Sequence, residues 1–143
     1  MGYNVCHINT KLELGWAQKI TFRTVAFLDR SRLRPILIVG GEAGELDVDA
    51  TRIPDTGFYR IPSIVRAIHP VLDVTAILSL TKLLRSIRPI IVHTHSSQAG
   101  ILVRWAARFA GVPVFINSLP VSGFPRAQHT QLQWFLVVLA ILS

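Results

Sequence analysis

Short unbroken apolar runs alternate along this chain with longer stretches in which apolar residues return every third or fourth position. That alternation predicts βαβ units around a parallel sheet. Tyr3 to Asn9 (YNVCHIN) reads as a first strand, followed by a polar turn containing Gly15. A helix over residues 17–28 follows, with Ala17, Ile20, Phe27 and Leu28 as its apolar stripe and Thr24 between them. Residues 34–40 (RPILIVG) form a second strand, and the unbroken Ile36-Leu37-Ile38-Val39 implies burial on both faces. The acidic stretch 40–55 lacks periodicity and reads as a loop with a helical turn; 58–62 gives a short third strand. The clearest helix runs from Pro70 to Ile87, with Ile77, Leu80, Leu84 and Ile87 on one side. Pro89 cannot continue it, and 90–93 (IIVH) makes a fourth strand. Ser96 or Ser97 then caps a helix reaching Ala110, with Leu102, Trp105, Ala106 and Phe109 inward. Gly111 ends that helix and 112–117 form a fifth strand. After a loop at 118–125 a last helix begins, turns wholly apolar from Trp134 and stops in mid-pattern.

A chain of 143 residues suits one compact domain, and with half of it apolar and only 16% charged a real core is expected rather than disorder. Charge is unevenly placed. All eight Asp and Glu lie in 1–73, whereas the basic residues Lys82, Arg85, Arg88, Arg104, Arg108 and Arg126 beyond them face no acid in sequence. Such a half-chain favours anionic partners. The basic residues are not interleaved with aromatics, and no nucleic-acid motif occurs, so nucleic acid is not an expected partner. The single cysteine, Cys6, forms no intrachain disulfide and fits a small core residue in a reducing compartment. No secretory leader is expected. The longest apolar run, 134–142, falls short of the ~20 residues that span a bilayer as a helix, and suits a membrane surface or a partner's interior.

Open parallel sheets bind ligands at the carboxyl ends of their strands. The turn after the first strand, Thr10 to Gln18, carries Gly15 at a helix start, where free N–H groups favour a phosphate. It is neither a dinucleotide fingerprint nor a P-loop. The turn after the fourth strand, His93-Thr94-His95-Ser96-Ser97-Gln98-Ala99-Gly100, offers imidazoles and hydroxyls to sugar hydroxyls or a phosphate. His-x-His without a third His, Cys or carboxylate in its neighbourhood argues against zinc, so no metal is expected. The turn after the fifth strand has Ser118, Ser122 and Gly123 but no acid or imidazole. His7 and His69 read as structural and His129 as a surface residue. No nucleophile–base constellation emerges, so no catalytic residue is assigned.

Together these turns resemble the N-terminal domain of the family-4 glycosyltransferases, which have the two-domain GT-B fold. Leu14-Gly15-Trp16-Ala17-Gln18 stands where that family has a Gly-Gly-Ala-Glu/Gln turn. HTHSSQAGIL at His93 to Leu102, the basic helix around Arg104 and Arg108, and Gly111-Val112-Pro113 match a second family segment. The resemblance implies a three-layer α/β/α, Rossmann-like domain with a mostly parallel sheet over 1–125, the start of an apolar helix at 126–143, and a second, donor-binding domain outside this chain or in a partner chain. It implies a nucleotide-sugar donor as substrate, no further cofactor, and a hydroxyl acceptor that is lipid-linked in many relatives. Gly15 and Trp16 would lie on the donor-diphosphate side, and His95, Ser96 and Ser97 would contact acceptor or sugar. A cytoplasmic location at the inner membrane face follows.

Departures from the family pattern stand beside this. Trp16 replaces the second glycine of the turn, and Leu119 to Phe124 lacks the His of the family's His-Gly-x-Gly-Phe segment. No Glu follows Glu45, so the paired glutamates of the donor domain are not in this chain. The chain alone is therefore expected to be inactive. The same residues admit a non-catalytic module for an anionic lipid head group or a partner transferase, and half of a nucleotide-sugar epimerase.

Overall fold

The computed structural model of the chain describes residues 2–118, apart from the side chains of Ser97 and Gln98. The elements run β1 (Tyr3–Asn9), α1 (Trp16–Phe27), β2 (Leu33–Val39), α2 (Asp47–Thr51), β3 (Gly57–Arg60), α3 (Pro70–Ile87), β4 (Ile91–Thr94), α4 (Ser97–Ala110) and β5 (Val114–Asn117). The strands form a five-stranded sheet in the order β3-β2-β1-β4-β5. Every pairing is parallel. All carboxyl ends therefore open on one rim.

Alternation of side chains along each strand divides the core between the two faces. Cys6, Ile8, Ile36, Ile38 and Val92 pack with Leu80 and Leu84 of α3 and Val103 and Ala106 of α4. Leu37 and Val39 pack on the opposite face with Val25 of α1 and Ala50 of α2. Full burial of one such large side chain stabilises by ~1.5–3 kcal/mol, so this α/β/α sandwich carries the fold. Cys6 lies inside it, and burial pushes its thiol up to about 12, leaving it inert.

The helix ends follow local chemistry. His69 caps α3 by accepting the Leu72 N–H at 3.3 Å, while Asp73 accepts the His69 N–H at 3.2 Å. The helix stops at Arg88, in the left-handed region at φ 51°, just before Pro89. Ser96 caps α4 and Gly111, at φ 73°, closes it. The helical turn expected in 40–55 is α2.

Side-chain facing departs from expectation at two helices. Ile20 and Phe27, read as part of the apolar stripe of α1, are exposed, and the side chains buried against the sheet are Thr21 and Val25. The smaller pair lets the helix sit closer to the strands, and a helix apolar on both sides has no single period to read. In α4 Phe109 is exposed, and the close-packed face is Leu102, Val103, Ala106 and Ala107. The loop from Leu119 onward and the apolar stretch 126–143 lie outside the described residues. Among the described residues no helix is long and apolar enough to cross a membrane.

Candidate functional site

Parallel register places His7 of β1 beside His93 of β4, although they are far apart in sequence. His95 follows one pleat further on the same face. The ring centroids of His93 and His95 are 4.0 Å apart, and those of His7 and His93 5.4 Å. His7 Nδ1 lies 3.4 Å from His95 Nε2, so one ring donates to the other. His93 Nε2 shares a 2.7 Å hydrogen bond with the Ser118 hydroxyl, which ties β4 to the end of β5. The sequence reading placed His7 among structural residues; in the fold it completes the cluster. The signal was available only through strand pairing, which a single strand pattern does not show.

Burial governs the protonation of the cluster. It pushes His7 down to about 3, helped by the neighbouring His93 and His95, and His95 down to about 4, helped by His93. His93, half-buried, is also lowered by burial. At neutral pH all are uncharged imidazoles, each offering one donor and one acceptor.

Polar groups at this rim lack hydrogen-bond partners among the described residues. On the imidazole face these are His7 Nε2 and Asn9 Nδ2 of β1; Thr94 Oγ1 on β4 and Asn117 Oδ1 on β5 are also buried without a hydrogen bond, but on the other face of the sheet, toward α4. An unmade bond at a buried polar atom costs about 1–3 kcal/mol. A polar ligand over the imidazole face would supply the bonds that His7 Nε2 and Asn9 Nδ2 lack.

Ser96 sits at the mouth of this layer. Its Oγ accepts the Ala99 N–H at 3.2 Å and lies 3.0 Å from Thr10 Oγ1, joining the start of α4 to the turn after β1. Ser97 is the first residue of α4, and its side chain is outside the description. On the far side of that turn Gly15 is the N-cap of α1 with no side-chain cap, so the first N–H groups of the helix lack a side-chain acceptor. Trp16 opens α1 with its indole 82% exposed.

Two neighbouring loops are fastened to the same turn. A Cβ at Gly40 would meet the carbonyls of Thr10 and Ile64, and one at Gly44 the carbonyl of Leu12, so only glycine permits this approach. Lys11 pairs with Glu13 and Glu42, each at 3.5 Å, and Glu13 with Arg66 at 2.8 Å.

The expectation of no metal rested on the lack of a third imidazole. The fold supplies one: the ligand atoms of His7, His93 and His95 lie within 4.8 Å of one another. Nitrogen-only, uncharged donors of this kind suit a borderline cation such as zinc and not magnesium or calcium. The 3.4 Å pair matches the ~3.3 Å that two nitrogens subtend on a tetrahedral zinc, whereas the wider spread would have to close. The arrangement as it stands suits sugar hydroxyls: neutral rings, hydroxyls and amides with spare donors and acceptors. A separate cleft beside Asn4, Arg30, Arg34 and Tyr59 lies at the opposite rim, away from this chemistry.

The glycosyl transferase 4-like domain family matches residues 5–141. Over 120 residues, 84% of the chain, it is 33% identical to the UDP-Gal:alpha-D-GlcNAc-diphosphoundecaprenol alpha-1,3-galactosyltransferase of Escherichia coli, of which it spans 30%. Its fold is similar to that of the UDP-GlcNAc 2-epimerase of Neisseria meningitidis, solved with UDP-GlcNAc bound: TM-score 0.59 at 14% identity, over 100% of this chain and 39% of that one.

Proposed function

Because this chain belongs to the glycosyl transferase 4-like domain family, we propose that it is the acceptor-side half of an enzyme that moves a glycosyl group from a nucleotide sugar to a hydroxyl of a lipid-linked acceptor at the inner face of a membrane. The observation that supports this reading is the cluster of neutral imidazoles at the carboxyl rim, with His7 Nε2 and Asn9 Nδ2 unpartnered beside it. In transfer the bond from the sugar's anomeric carbon to the nucleoside diphosphate breaks and a bond to the acceptor oxygen forms, with that hydroxyl's proton released. His95, Ser96 and Ser97 contact the acceptor or the sugar, and His7 holds His95 in place through the 3.4 Å contact. Gly15 and the uncapped start of α1 face the donor diphosphate, with Trp16 beside them. The donor itself is held by a second domain, which supplies the remaining contacts; no further cofactor is used.

The E. coli relative's name specifies a GlcNAc-diphosphate-lipid acceptor, and the test uses a short-chain prenyl diphosphate carrying GlcNAc as probe. Titration calorimetry with the whole chain should show binding that His95→Ala weakens about tenfold, the scale of losing one hydrogen bond to a buried group. His69→Gln, at the cap of α3, should leave it unchanged. Absence of binding, or equal affinity in both variants, would overturn the assignment. The chain alone should transfer no radiolabelled sugar; turnover would refute its being half of the machine.

A further inference from the structure

α1 is amphipathic in the unexpected sense. Its buried side is Thr21 and Val25, with Ala17, Phe22 and Ala26 half-buried beside them. Directly opposite, at spacings of four, three and four, stand Trp16, Ile20, Arg23 and Phe27, with Lys19 next to them, all exposed. Trp16 is 82% and Phe27 86% exposed, values at which a large aromatic contributes almost nothing to the fold. Leu14, in the turn leading into the helix, is exposed too and extends the ridge toward the candidate site.

The chemistry of the ridge selects its occupant. α1 contains Lys19 and Arg23 and no Asp or Glu. The nearest carboxylates along the chain are engaged: Glu13 with Lys11 and Arg66, and Asp29 with the hydroxyl of Ser31. A helix of 12 residues is about 18 Å long, and its outer ridge exposes roughly 500 Å², of which Trp16 and Phe27 supply ~150–250 Å² each. A stable protein interface needs about 800 Å² from each partner, so the ridge is too small for one. Aromatic residues flanked by cations on one helical face are what an interfacial helix presents to a membrane, rings in the acyl boundary and cations among the head groups.

We propose that the outer ridge of α1, formed by Trp16, Ile20, Arg23 and Phe27 with Lys19, docks on an anionic lipid bilayer. Docking there sets the mouth of the candidate site, through Leu14 and Gly15, at head-group level. The surface exists whether or not transfer takes place, so the test is run without any glycolipid. The whole chain is sedimented with vesicles of phosphatidylglycerol and phosphatidylethanolamine, and with phosphatidylcholine vesicles as the uncharged comparison. Binding should favour the anionic vesicles and fall steeply with salt. Trp16→Ser with Phe27→Ser should lower the partition coefficient at least about tenfold. Lys19→Gln with Arg23→Gln should abolish the preference for anionic lipid. These positions are exposed, so an unchanged melting curve certifies the variants as folded. The proposal is overturned if the unaltered chain ignores the vesicles. It is equally overturned if the variants bind as well as the parent, if Leu136→Lys with Leu139→Lys removes binding while the ridge variants retain it, or if the ridge proves to be a self-association surface by light scattering. Acceptor binding in calorimetry is unaffected by any of these outcomes.

Discussion

His7 is 2% exposed and stays neutral well below the pH at which a histidine in an unfolded chain is protonated. Its folded value is depressed, so the unfolded state takes up the proton first and stability falls as the solution is acidified. The window opens near the ordinary value of 6.5 and extends to about 4 for His95 and about 3 for His7. Above it the rings contribute no pH dependence. From pH 6.5 to 5 the loss from His7 alone amounts to about 2 kcal/mol. Thermal melts at pH 7 and pH 5 should show it, and His7→Gln, which remains polar and cannot be protonated, should reduce the slope by about half, His95 supplying much of the remainder. An unchanged slope would mean that His7 does not stay buried and neutral. Cys6 and His69 were readable from their own neighbours in sequence, because packing in a strand and capping before a proline are local matters. The role of His7 was not, since its partner His95 lies 88 positions away and only the β1–β4 register brings them together.

The helices and strands were legible for the same reason that Cys6 was. Apolar runs bounded by Gly and Pro mark where each begins and ends, and α3 falls on the expected residues, Pro70–Ile87. The facing of α1 was not legible, because Ile20 and Phe27 on one side compete with Val25 and Phe22 on the other. Hydrophobicity alone ranks the larger residues as core, while close packing against β1 and β2 selects the smaller. The difference is measurable. Val25→Ala should destabilise by roughly 1–3 kcal/mol in urea denaturation, and Phe27→Ala should stay within about 0.5 kcal/mol. The reverse order would restore the facing read from the sequence.

Across the whole molecule, the candidate site depends on how loops are held as much as on which strands carry them. The turn after β1, the loop after β2 and the segment after β3 meet through backbone contacts at Gly40 and Gly44 and through the Lys11, Glu13, Glu42 and Arg66 ion pairs. The exposed pairs are each worth about 1 kcal/mol or less, so the glycines matter more. Gly44→Ala has main chain in its way, not a movable side-chain tip, and should cost about 3 kcal/mol or more. A chemical-denaturation midpoint unchanged from the parent would show that the loop can yield.

An all-parallel sheet also separates what the two rims answer for. The hairpin-free connections at the amino-end rim, such as the stretch between α1 and β2 and the Gly111-Val112-Pro113 step into β5, hold no part of the polar layer. The carboxyl rim holds all of it, above a core whose apolar side chains need not change when the loops do. A lineage with this architecture can change what its carboxyl rim meets by rewriting three or four loops while inheriting the same sandwich, and an engineer can attach a fluorophore or a tether at the amino-end rim without approaching the imidazole cluster. Specificity and foldability are in this sense written in different parts of the same chain.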